Sequence, residues 1–421
     1  MNVIPDSLFL VLPVPFRRDG ETLLFESQAC NGLNCWADNF ARLIVACPIE
    51  PPVVTRKRKS SETYLPIDTI PARYRIEFVP LPWAHAVGEF AREYRQTRRL
   101  LADKIRQCQF LSFAIGGLTG NWAAVAGLAA LRQGREFSVW TDSVEHEVVK
   151  KDYAGHDGLK TLYRKIKNNL LISPLTKHVH RYIVSRSALG LFHGRDCFDA
   201  YAPYCRNPQV VHNIHLKPSD QISQECLQAK IRRALAGDPL RLVYAGRATE
   251  IKGPMEWLRV LLELRNQGIP FHAAWLGDGP MLEKMRTEAD RVGLGQCCSL
   301  AGNIAERAEL LRFLQSSDVF VFCHKTPESP RCLIEGLISG NVLAGFDSAY
   351  PRDLLEGLAG RLLVPQLDTT RLAARIAQLH FNRVELSELL RSCAWLGTKY
   401  SDEVVFRHRS ELIKRYLKCG S

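Results

Sequence analysis

The chain has 421 residues, of which 46% are hydrophobic and 24% charged, and its formal net charge is +12. This length predicts two or three domains, and the composition is that of an ordinary soluble globular protein. The 13 cysteines are odd in number and include no C-x-x-C pair, which argues against a disulfide framework or a zinc module and favours a protein of the reducing cytosol.

The first half of the chain alternates short apolar runs with helical runs. Strands are predicted at 8–16, 42–49, 74–81, 110–115, 137–142, 181–186, 189–194 and 208–214, and the clearest helix at 86–107. This alternation is typical of an open parallel sheet with helices on both faces. The uncharged run 107–131 has the length of a membrane span, but three glycines between 116 and 120 interrupt it. We therefore predict a buried strand, a glycine turn and a buried helix there.

A second cycle of the same kind follows a polar connector. Strands are predicted at 240–246, 271–277, 297–302, 318–323 and 342–347, and helices at 254–267, 280–292, 306–315, 330–339 and 402–417. We therefore predict two tandem α/β domains, at 1–217 and 239–398, joined by a connector at 218–238 and followed by a helical segment at 399–421. Ligands of such sheets bind beyond the carboxyl ends of the strands, and each polar motif below follows a predicted strand.

The stretch TPESPRCLIEGLISG, residues 326–340, places two acids around a predicted helix start. Ser329 is a suitable N-cap and Pro330 a suitable first helical residue, and apolar residues at helical spacing follow them. Glu328 then lies in the loop before the helix. Glu335 lies inside the helix, with a side chain that leans back toward the helix N-terminus.

This arrangement of acids and helix suits a phosphorylated sugar. A helix N-terminus attracts phosphate, and a carboxylate beside it can accept hydrogen bonds from sugar hydroxyls. By itself the stretch is also compatible with a capping acid and a solvated surface acid.

Two cations follow the first strand of the second domain, in YAGRATEIKG. Gly246 allows a tight exit from the strand, Arg247 and Lys252 project beyond it, and Gly253 precedes the next helix. Arg offers a bidentate fork and Lys a point charge, so the pair suits a diphosphate, although alone the two would be ordinary loop charges.

The next two strand ends carry glycine turns and polar residues. WLGDGP supplies Gly277, Asp278 and Gly279, and LAGNI supplies Asn303. Backbone groups there can approach a nucleotide base, or the glycines simply form turns.

In this order and spacing, these motifs resemble the donor half of the family 4 glycosyltransferases, which have the GT-B fold. The resemblance covers about 240–365 well, and the first domain is similar in layout alone. It implies two Rossmann-like, doubly wound domains with a cleft between them and a C-terminal helix that crosses back to the first domain. It also implies a retaining transfer of a sugar from a nucleotide-diphosphate-sugar donor to a glycan or lipid-linked acceptor in cell-surface polysaccharide synthesis.

The resemblance further implies a role for each motif. Arg247 and Lys252 would neutralise the donor diphosphate, and the N–H groups of helix 330–339 would support the phosphates. Glu335 would hold the ribose hydroxyls, and Glu328 would contact the donor sugar. The implied donor-binding residues are Gly246, Arg247, Lys252, Gly277, Asp278, Gly279, Asn303, Glu328, Ser329, Arg331, Cys332 and Glu335.

Two features depart from the family pattern. Glu328 and Glu335 are separated by six residues, where the family usually has seven. The loop after the first strand, RRDGETLLFES, has a single glycine, Gly20, where the family often has a Gly-Gly pair. These departures concern the contact to the donor sugar and the phosphate and acceptor contacts of the first domain.

Residues at two other strand ends are further candidates. A polar residue after the fifth strand often faces the reacting centre in such enzymes, so we predict Asp142 in WTDSVEHE, with His146 as its rival. In FCHKTP, His324 and Lys325 lie at the floor of the site, where Lys325 could assist the phosphates. The predicted catalytic set is Glu328, Arg247, Lys252 and Asp142.

The sequence contains no D-x-D segment of the kind that brings a metal ion to a donor diphosphate. We therefore predict metal-independent transfer with no cofactor, in which cations and helix N–H groups stabilise the leaving group. Two alternatives are a GT-B nucleotide-sugar epimerase, which would turn over donor without an acceptor, and an inactive nucleotide-sugar-binding partner of another transferase.

The positive charge is concentrated in the first half of the chain, because residues 1–236 carry +10 of the total. Basic clusters occur at 56–59 and, interleaved with apolar residues, at 159–184. The second cluster suits anionic lipid, although an ordinary surface helix has the same pattern. With no nucleic-acid-binding motif present, we expect a cytoplasmic protein that is peripheral on the inner face of the plasma membrane.

Overall fold

Two parallel sheets organise the protein, each in its own unit of the chain. The computed structural model describes residues 3–57, 63–151, 166–212, 214–326 and 328–418. The first unit comprises Met1–His215 with Asp402–Ser421, and the second comprises Leu216–Ser401.

Within the described residues, the first unit contains a seven-stranded parallel sheet and a small antiparallel one. The parallel strands are β1 (Ile4–Val11), β4 (Arg42–Pro48), β6 (Ile76–Leu81), β7 (Cys108–Ala114), β8 (Ser138–Thr141), β9 (Leu189–His193) and β10 (Pro208–Val211). They lie in the order β10-β9-β8-β7-β1-β4-β6. The small sheet consists of β2 (Arg17–Asp19), β3 (Thr22–Glu26) and β5 (Tyr64–Pro66).

Helices connect the parallel strands of the first unit. They are α1 (Ser27–Ala37), α2 (Pro52–Lys57), α3 (Val87–Gln107), α4 (Trp122–Arg132), α5 (Glu145–Lys151), α6 (Ser173–Arg186) and α7 (Gly194–Tyr201), with short 3-10 turns at Ile67–Thr69, Arg73–Arg75 and Ala202–Tyr204. A π-helical segment, Asn168–Ile172, leads into α6.

The interior strand β1 is buried on both faces over its last five residues, which explains the apolar run there. Phe9 packs with Leu101 of α3 on one side of the sheet. Leu8 packs on the other side, in a core that also contains Phe406 and Ile413 near the C-terminus of the chain. Strands covered on both faces by helices need apolar residues at every position rather than at alternate ones.

The second unit has its own parallel sheet, six-stranded within the described residues. Its strands are β11 (Leu240–Ala245), β12 (Phe271–Leu276), β13 (Cys298–Gly302), β14 (Val319–Phe322), β15 (Val342–Phe346) and β16 (Leu362–Val364). They lie in the order β13-β12-β11-β14-β15-β16. Its helices are α8 (Gln224–Leu235), α9 (Pro254–Asn266), α10 (Leu282–Arg291), α11 (Arg307–Ser316), α12 (Arg331–Ile338), α13 (Ala349–Leu354), α14 (Thr369–Phe381) and α15 (Arg383–Gly397), with 3-10 turns at Pro218–Asp220 and Glu250–Lys252.

The last helix, α16 (Asp402–Tyr416), follows the second unit in sequence but belongs to the first, as predicted. Phe406 packs edge-on against Trp36, with 5.2 Å between ring centroids. The buried Arg409 guanidinium lies over the rings of Trp36 and Trp140, at 4.8 and 4.9 Å. Aromatic packing and cation–π contacts therefore fix this helix on the first sheet.

Two expectations from the sequence are wrong. Residues 181–186 are not a strand but the end of α6, since the buried residues Thr176, His180 and Ile183 recur at helical spacing. A short apolar run does not by itself distinguish a strand from a buried helix. The expected loop after the first strand is instead the β2–β3 hairpin, which turns at Gly20 with φ +55° and continues into α1.

The glycine-interrupted run 107–131 folds as predicted, into β7, a turn and α4. The Asn121 side chain caps α4 by accepting a hydrogen bond from the N–H of Ala124, at 3.0 Å. Among the helices of the described residues, none combines the length and apolar character that crossing a membrane requires.

We predict that Phe406→Ala lowers the free energy of unfolding by about 3–5 kcal/mol, because it removes a buried ring from the first unit's core. Urea unfolding followed by tryptophan fluorescence measures this, since Trp36 contacts the ring. The control is Val404→Ala on the same helix, where the side chain is 49% exposed and the expected change is within about 0.5 kcal/mol. Equal stability of the two variants would contradict the packing of α16.

Candidate active site

The candidate site lies at the carboxyl ends of β11 and β14, two neighbouring strands in the middle of the second sheet. From β11 the chain builds the sheet in one direction, through β12 and β13. From β14 it builds in the opposite direction, through β15 and β16. In open α/β sheets this switch in direction opens a crevice between the two connections, and ligands bind there.

Hydrogen bonds join the loops that follow β11 and β12. The Gly246 N–H donates to the Leu276 carbonyl at 2.8 Å, and the Ala248 N–H donates to the Asp278 carbonyl at 2.9 Å. Gly277 has φ +153°, and a Cβ on it would lie 2.0 Å from the Gly246 carbonyl oxygen. The two loops therefore form one rigid surface, and glycine at 277 is needed for their approach.

Arg247 and Lys252 extend from the loop after β11, as predicted, but in different environments. Arg247 is exposed, and its guanidinium makes no hydrogen bond or ion pair within the described part of the chain. Lys252 is partly buried, and its Nζ donates to Glu328 Oε2 at 2.8 Å. The structure thus brings together a cation from the loop after β11 and an acid from the loop after β14.

Gly253 makes this meeting of the two loops possible. It has φ +67°, and a Cβ on it would lie 2.0 Å from the carbonyl oxygen of Cys323, the residue that follows β14. Any other residue would push the two loops apart, and with them the Lys252–Glu328 pair.

The helix α12 begins one residue later than predicted. Pro330, not Ser329, is the N-cap, with ψ 122°, and Arg331 is the first helical residue. The extended ψ of Pro330 places the helix start after it, and the side chain of Ser329 is buried. The N-cap residue itself makes no side-chain capping hydrogen bond. An anion could therefore accept hydrogen bonds from its N–H groups.

The C-terminus of α12 is held by a buried lysine from α8. Lys230 Nζ donates to the carbonyl oxygens of Ser339, at 2.8 Å, and Gly340, at 3.1 Å, and to Asn341 Oδ1 at 2.8 Å. Burial lowers the pKa of Lys230 to about 7. These bonds fix the axis of the helix whose other end faces the site.

Glu328 is placed between Lys252 and a buried histidine. Its Oε1 atom is buried, has no hydrogen-bond partner among the described residues, and lies 3.8 Å from His324 Nδ1. The other ring nitrogen of His324, Nε2, is 2.8 Å from the Tyr244 hydroxyl. Burial, together with the charge of Lys252, holds the pKa of His324 well below its usual value, so the ring is neutral.

Glu335 has a basic neighbour that the sequence did not reveal. Arg307, the first residue of α11, places Nη1 3.6 Å from Glu335 Oε1. Its Nη2 lies 2.9 Å from Asp220 Oδ2. The signal that could have indicated Arg307 is its position shortly after β13, at the same sheet edge as the other motifs.

The remaining predicted donor-site residues lie near the same edge. Asp278 and Asn303 are exposed after β12 and β13, and Arg331 is partly buried. Burial raises the pKa of the Cys332 thiol to about 12, so it stays protonated. Lys325 is already paired with two acids, Glu250 at 2.6 Å and Glu256 at 2.9 Å, whereas Arg247 has no ion-pair partner among the described residues.

Asp142 and His146 belong to the first unit, near the carboxyl end of β8. Asp142 is exposed. His146 is buried in α5, and its carbonyl oxygen accepts a hydrogen bond from the Ser173 hydroxyl at 2.8 Å. Their place beside a reacting centre stays a prediction. Within the described residues, no group of three or more His, Cys, Asp or Glu side chains is arranged to hold a metal ion.

The second unit matches a known family. Residues 239–382 fit the model of the glycosyl transferases group 1, which covers the whole sheet edge described above. The chain is 25% identical over 201 residues to the amylovoran biosynthesis glycosyltransferase AmsK of Erwinia amylovora. That match covers 46% of the chain and 49% of AmsK, so the chain spans about half the length of the curated relatives it matches.

Solved structures show the fold of the whole chain. HepE from Anabaena, in complex with UDP, is similar with a TM-score of 0.66 and 14% identity, over 97% of this chain and all of that one. WaaG, a glycosyltransferase involved in lipopolysaccharide biosynthesis, is similar with a TM-score of 0.60 and 11% identity, over 97% and 99%. The chain therefore has the predicted fold, with two Rossmann-like units of the GT-B type.

We predict that Gly277→Ala lowers the free energy of unfolding of the second unit by about 1–3 kcal/mol, because the new Cβ would collide with the Gly246 carbonyl. Thermal or urea unfolding measures the change. The control is Gly295→Ala, at a position with ordinary φ where the nearest atom is 3.5 Å away, and it should stay within about 0.5 kcal/mol. If the two variants are equally stable, the loops after β11 and β12 do not pack as described.

Proposed function

We propose that this protein is a glycosyltransferase that moves a sugar from a nucleoside diphosphate sugar to a glycan or lipid-linked acceptor, with retention of configuration. The observation that carries the proposal is the Lys252–Glu328 pair at the switch point of the second sheet, with Arg247 exposed on the loop after β11 and α12 starting after β14. Similarity to the group 1 glycosyl transferases over this same unit supports it.

The two cations and the helix would act on the leaving group. As the bond between the sugar and the diphosphate breaks, negative charge grows on the phosphate oxygens. Arg247 is free to form a bidentate contact with them, Lys252 supplies a point charge, and the N-terminus of α12 supplies N–H donors. Fixed donors of this kind lower the barrier because they need no rearrangement during the reaction.

The two acids would recognise the sugars of the donor. Glu335 lies in the first turns of α12 and would accept hydrogen bonds from the ribose, with Arg307 holding its carboxylate. Glu328 would accept hydrogen bonds from the transferred sugar. No step in this scheme requires a metal ion, and we propose metal-independent transfer with no cofactor.

The relatives support polysaccharide synthesis as the setting. AmsK is named for amylovoran biosynthesis and WaaG for lipopolysaccharide biosynthesis, and HepE was crystallised with UDP. We therefore propose a role in the synthesis of a cell-surface polysaccharide, and UDP is the first nucleotide to test.

We further propose that the segment 166–186 docks the enzyme on anionic lipid. Ile166, Leu170 and Leu171 at its start are 50%, 77% and 57% exposed. Lys167 lies among them, and the segment contains no Asp or Glu. Exposed apolar residues interleaved with cations suit the surface of an anionic membrane. The rest of the predicted basic surface, 159–165, and part of the cluster at 56–59 lie outside the described residues.

The nucleotide site can be tested by thermal unfolding of the full chain with UDP, GDP, ADP and their common sugar conjugates. We expect one nucleotide to raise the melting temperature by a few degrees, since a ligand of the folded state stabilises it by about 2.7 kcal/mol at 100 times its Kd. Arg247→Ala should abolish this shift and donor turnover without lowering the melting temperature of the free protein.

The control for Arg247 is Arg232→Ala, which removes another exposed arginine from the same unit and should keep the shift. Glu335→Gln should weaken binding of the nucleoside diphosphate if Glu335 holds the ribose. The absence of a shift with every nucleotide would contradict the proposal. Conversion of the donor to its epimer without any acceptor would identify an epimerase instead.

The membrane surface can be tested with Leu170→Asn combined with Leu171→Asn. We expect binding to vesicles of mixed phosphatidylglycerol and phosphatidylcholine to fall about 10-fold, because two exposed apolar side chains are lost. The control is Leu367→Asn, at a leucine of the second unit that is 60% exposed. Unchanged co-sedimentation of the double variant, or equal binding to pure phosphatidylcholine, would contradict an anionic-lipid surface at this segment.

A further inference from the structure

We infer that His324, fixed by Tyr244, is a positioning residue that holds Glu328 when Lys252 turns to the donor diphosphate. The inference rests on the proposed function, because it concerns the same site. It is carried by three distances: Tyr244 Oη to His324 Nε2 at 2.8 Å, His324 Nδ1 to Glu328 Oε1 at 3.8 Å, and Lys252 Nζ to Glu328 Oε2 at 2.8 Å.

The tautomer of His324 follows from its neighbours. Burial raises the pKa of the Tyr244 hydroxyl well above its ordinary value, so Tyr244 is protonated and can donate. The Glu328 carboxylate that faces Nδ1 can only accept, while the Tyr244 hydroxyl beside Nε2 can donate, so we assign the single proton of the neutral ring to Nδ1. Nδ1 is the atom that faces Glu328, so the histidine presents an N–H donor to this carboxylate.

One oxygen of the Glu328 carboxylate can accept a hydrogen bond from this N–H group. Glu328 Oε1 is buried and has no hydrogen-bond partner among the described residues, and 3.8 Å is too long for a hydrogen bond. A buried acceptor without a partner is unfavourable. A movement of roughly 1 Å would bring Oε1 into hydrogen-bond range of Nδ1–H.

Donor binding supplies a reason for that movement. In the structure Lys252 is paired with Glu328, so the cation proposed for the diphosphate and the acid proposed for the sugar neutralise each other. When phosphate oxygens attract Lys252, Glu328 loses its partner. His324 Nδ1–H then supplies a neutral donor that keeps the carboxylate in place for the sugar hydroxyls without competing with the diphosphate for positive charge.

The surroundings of His324 also disfavour its protonated, cationic form. His324 is buried against Tyr244 and Phe322, whose ring centroids lie 5.6 and 5.7 Å from that of the imidazole. A protonated ring would lose its bond from the Tyr244 hydroxyl and would lie near Lys252. In this environment His324 therefore acts as a neutral hydrogen-bonding group.

Three substitutions of His324 distinguish the roles of its two ring nitrogens. His324→Asn places an amide N–H near Nδ1 and keeps a donor toward Glu328. His324→Gln places its amide near Nε2 and keeps only the contact to Tyr244. His324→Phe keeps the ring shape and removes both. Steady-state kinetics with the donor found by the nucleotide screen, the Kd of its nucleoside diphosphate, and the melting temperature are measured for each.

We expect kcat to fall about 10- to 100-fold in His324→Phe and His324→Gln, and clearly less in His324→Asn. The Kd of the nucleoside diphosphate should rise in the same order, since Lys252 leaves Glu328 less readily. Wild-type rates in all three variants, or a glutamine variant more active than the asparagine variant, would overturn the inference. If His324 served in packing alone, the loss of kcat among the three variants would instead follow the loss of melting temperature.

A second measurement does not depend on catalysis. Nitrogen-15 NMR of the imidazole should show the proton of His324 on Nδ1 in the wild type, and a changed tautomer balance in Tyr244→Phe. A proton on Nε2 would overturn the inference whatever nucleotide binds. If no nucleotide binds the wild type but the proton is on Nδ1, the proposed function fails, while the arrangement of Tyr244, His324 and Glu328 stands.

Discussion

The candidate site depends on the close contact of backbone between three loops of the second unit. The loops after β11 and β12 are joined by hydrogen bonds, and the loop after β11 also touches the residue after β14. Gly277 and Gly253 allow these contacts, since a Cβ at either would lie 2.0 Å from a carbonyl oxygen. Because the loops are fixed, Lys252 meets Glu328, and Arg247 is left exposed at the same edge.

In this structure the charges of the site are partly neutralised by one another. Lys252 is paired with Glu328, Arg307 lies near Glu335, and Lys325 lies between two other acids. Partly buried charges require such partners, because an unpaired ion loses the solvation that water provides. A ligand that takes one partner of a pair must therefore leave the other with a substitute. His324 is the neighbour of Glu328 best placed to be that substitute.

Much of this could be predicted from the sequence, because local chemistry encodes it. Apolar runs between glycine turns predicted the strands. The motifs after β11, β12, β13 and β14 predicted a ligand site at the carboxyl edge of the second sheet. What could not be predicted depends on contacts between distant residues. Arg307 reaches Glu335 only because α11 and α12 are neighbours in the fold, and the run 181–186 is helical because its buried face matches a helix. The late start of α12 follows from Pro330 adopting an extended ψ.

The packing of α16 has a consequence for how the protein is made. Phe406 and Ile413 cover the face of the first sheet that contains Leu8, yet they are synthesised after the entire second unit. During translation that apolar face lacks its last helix, while the second unit, continuous in sequence, can fold as soon as it emerges. The first unit is therefore complete only after the segment Asp402–Ser421 has been synthesised. A nascent or truncated chain that ends before this segment exposes this apolar surface, which favours aggregation.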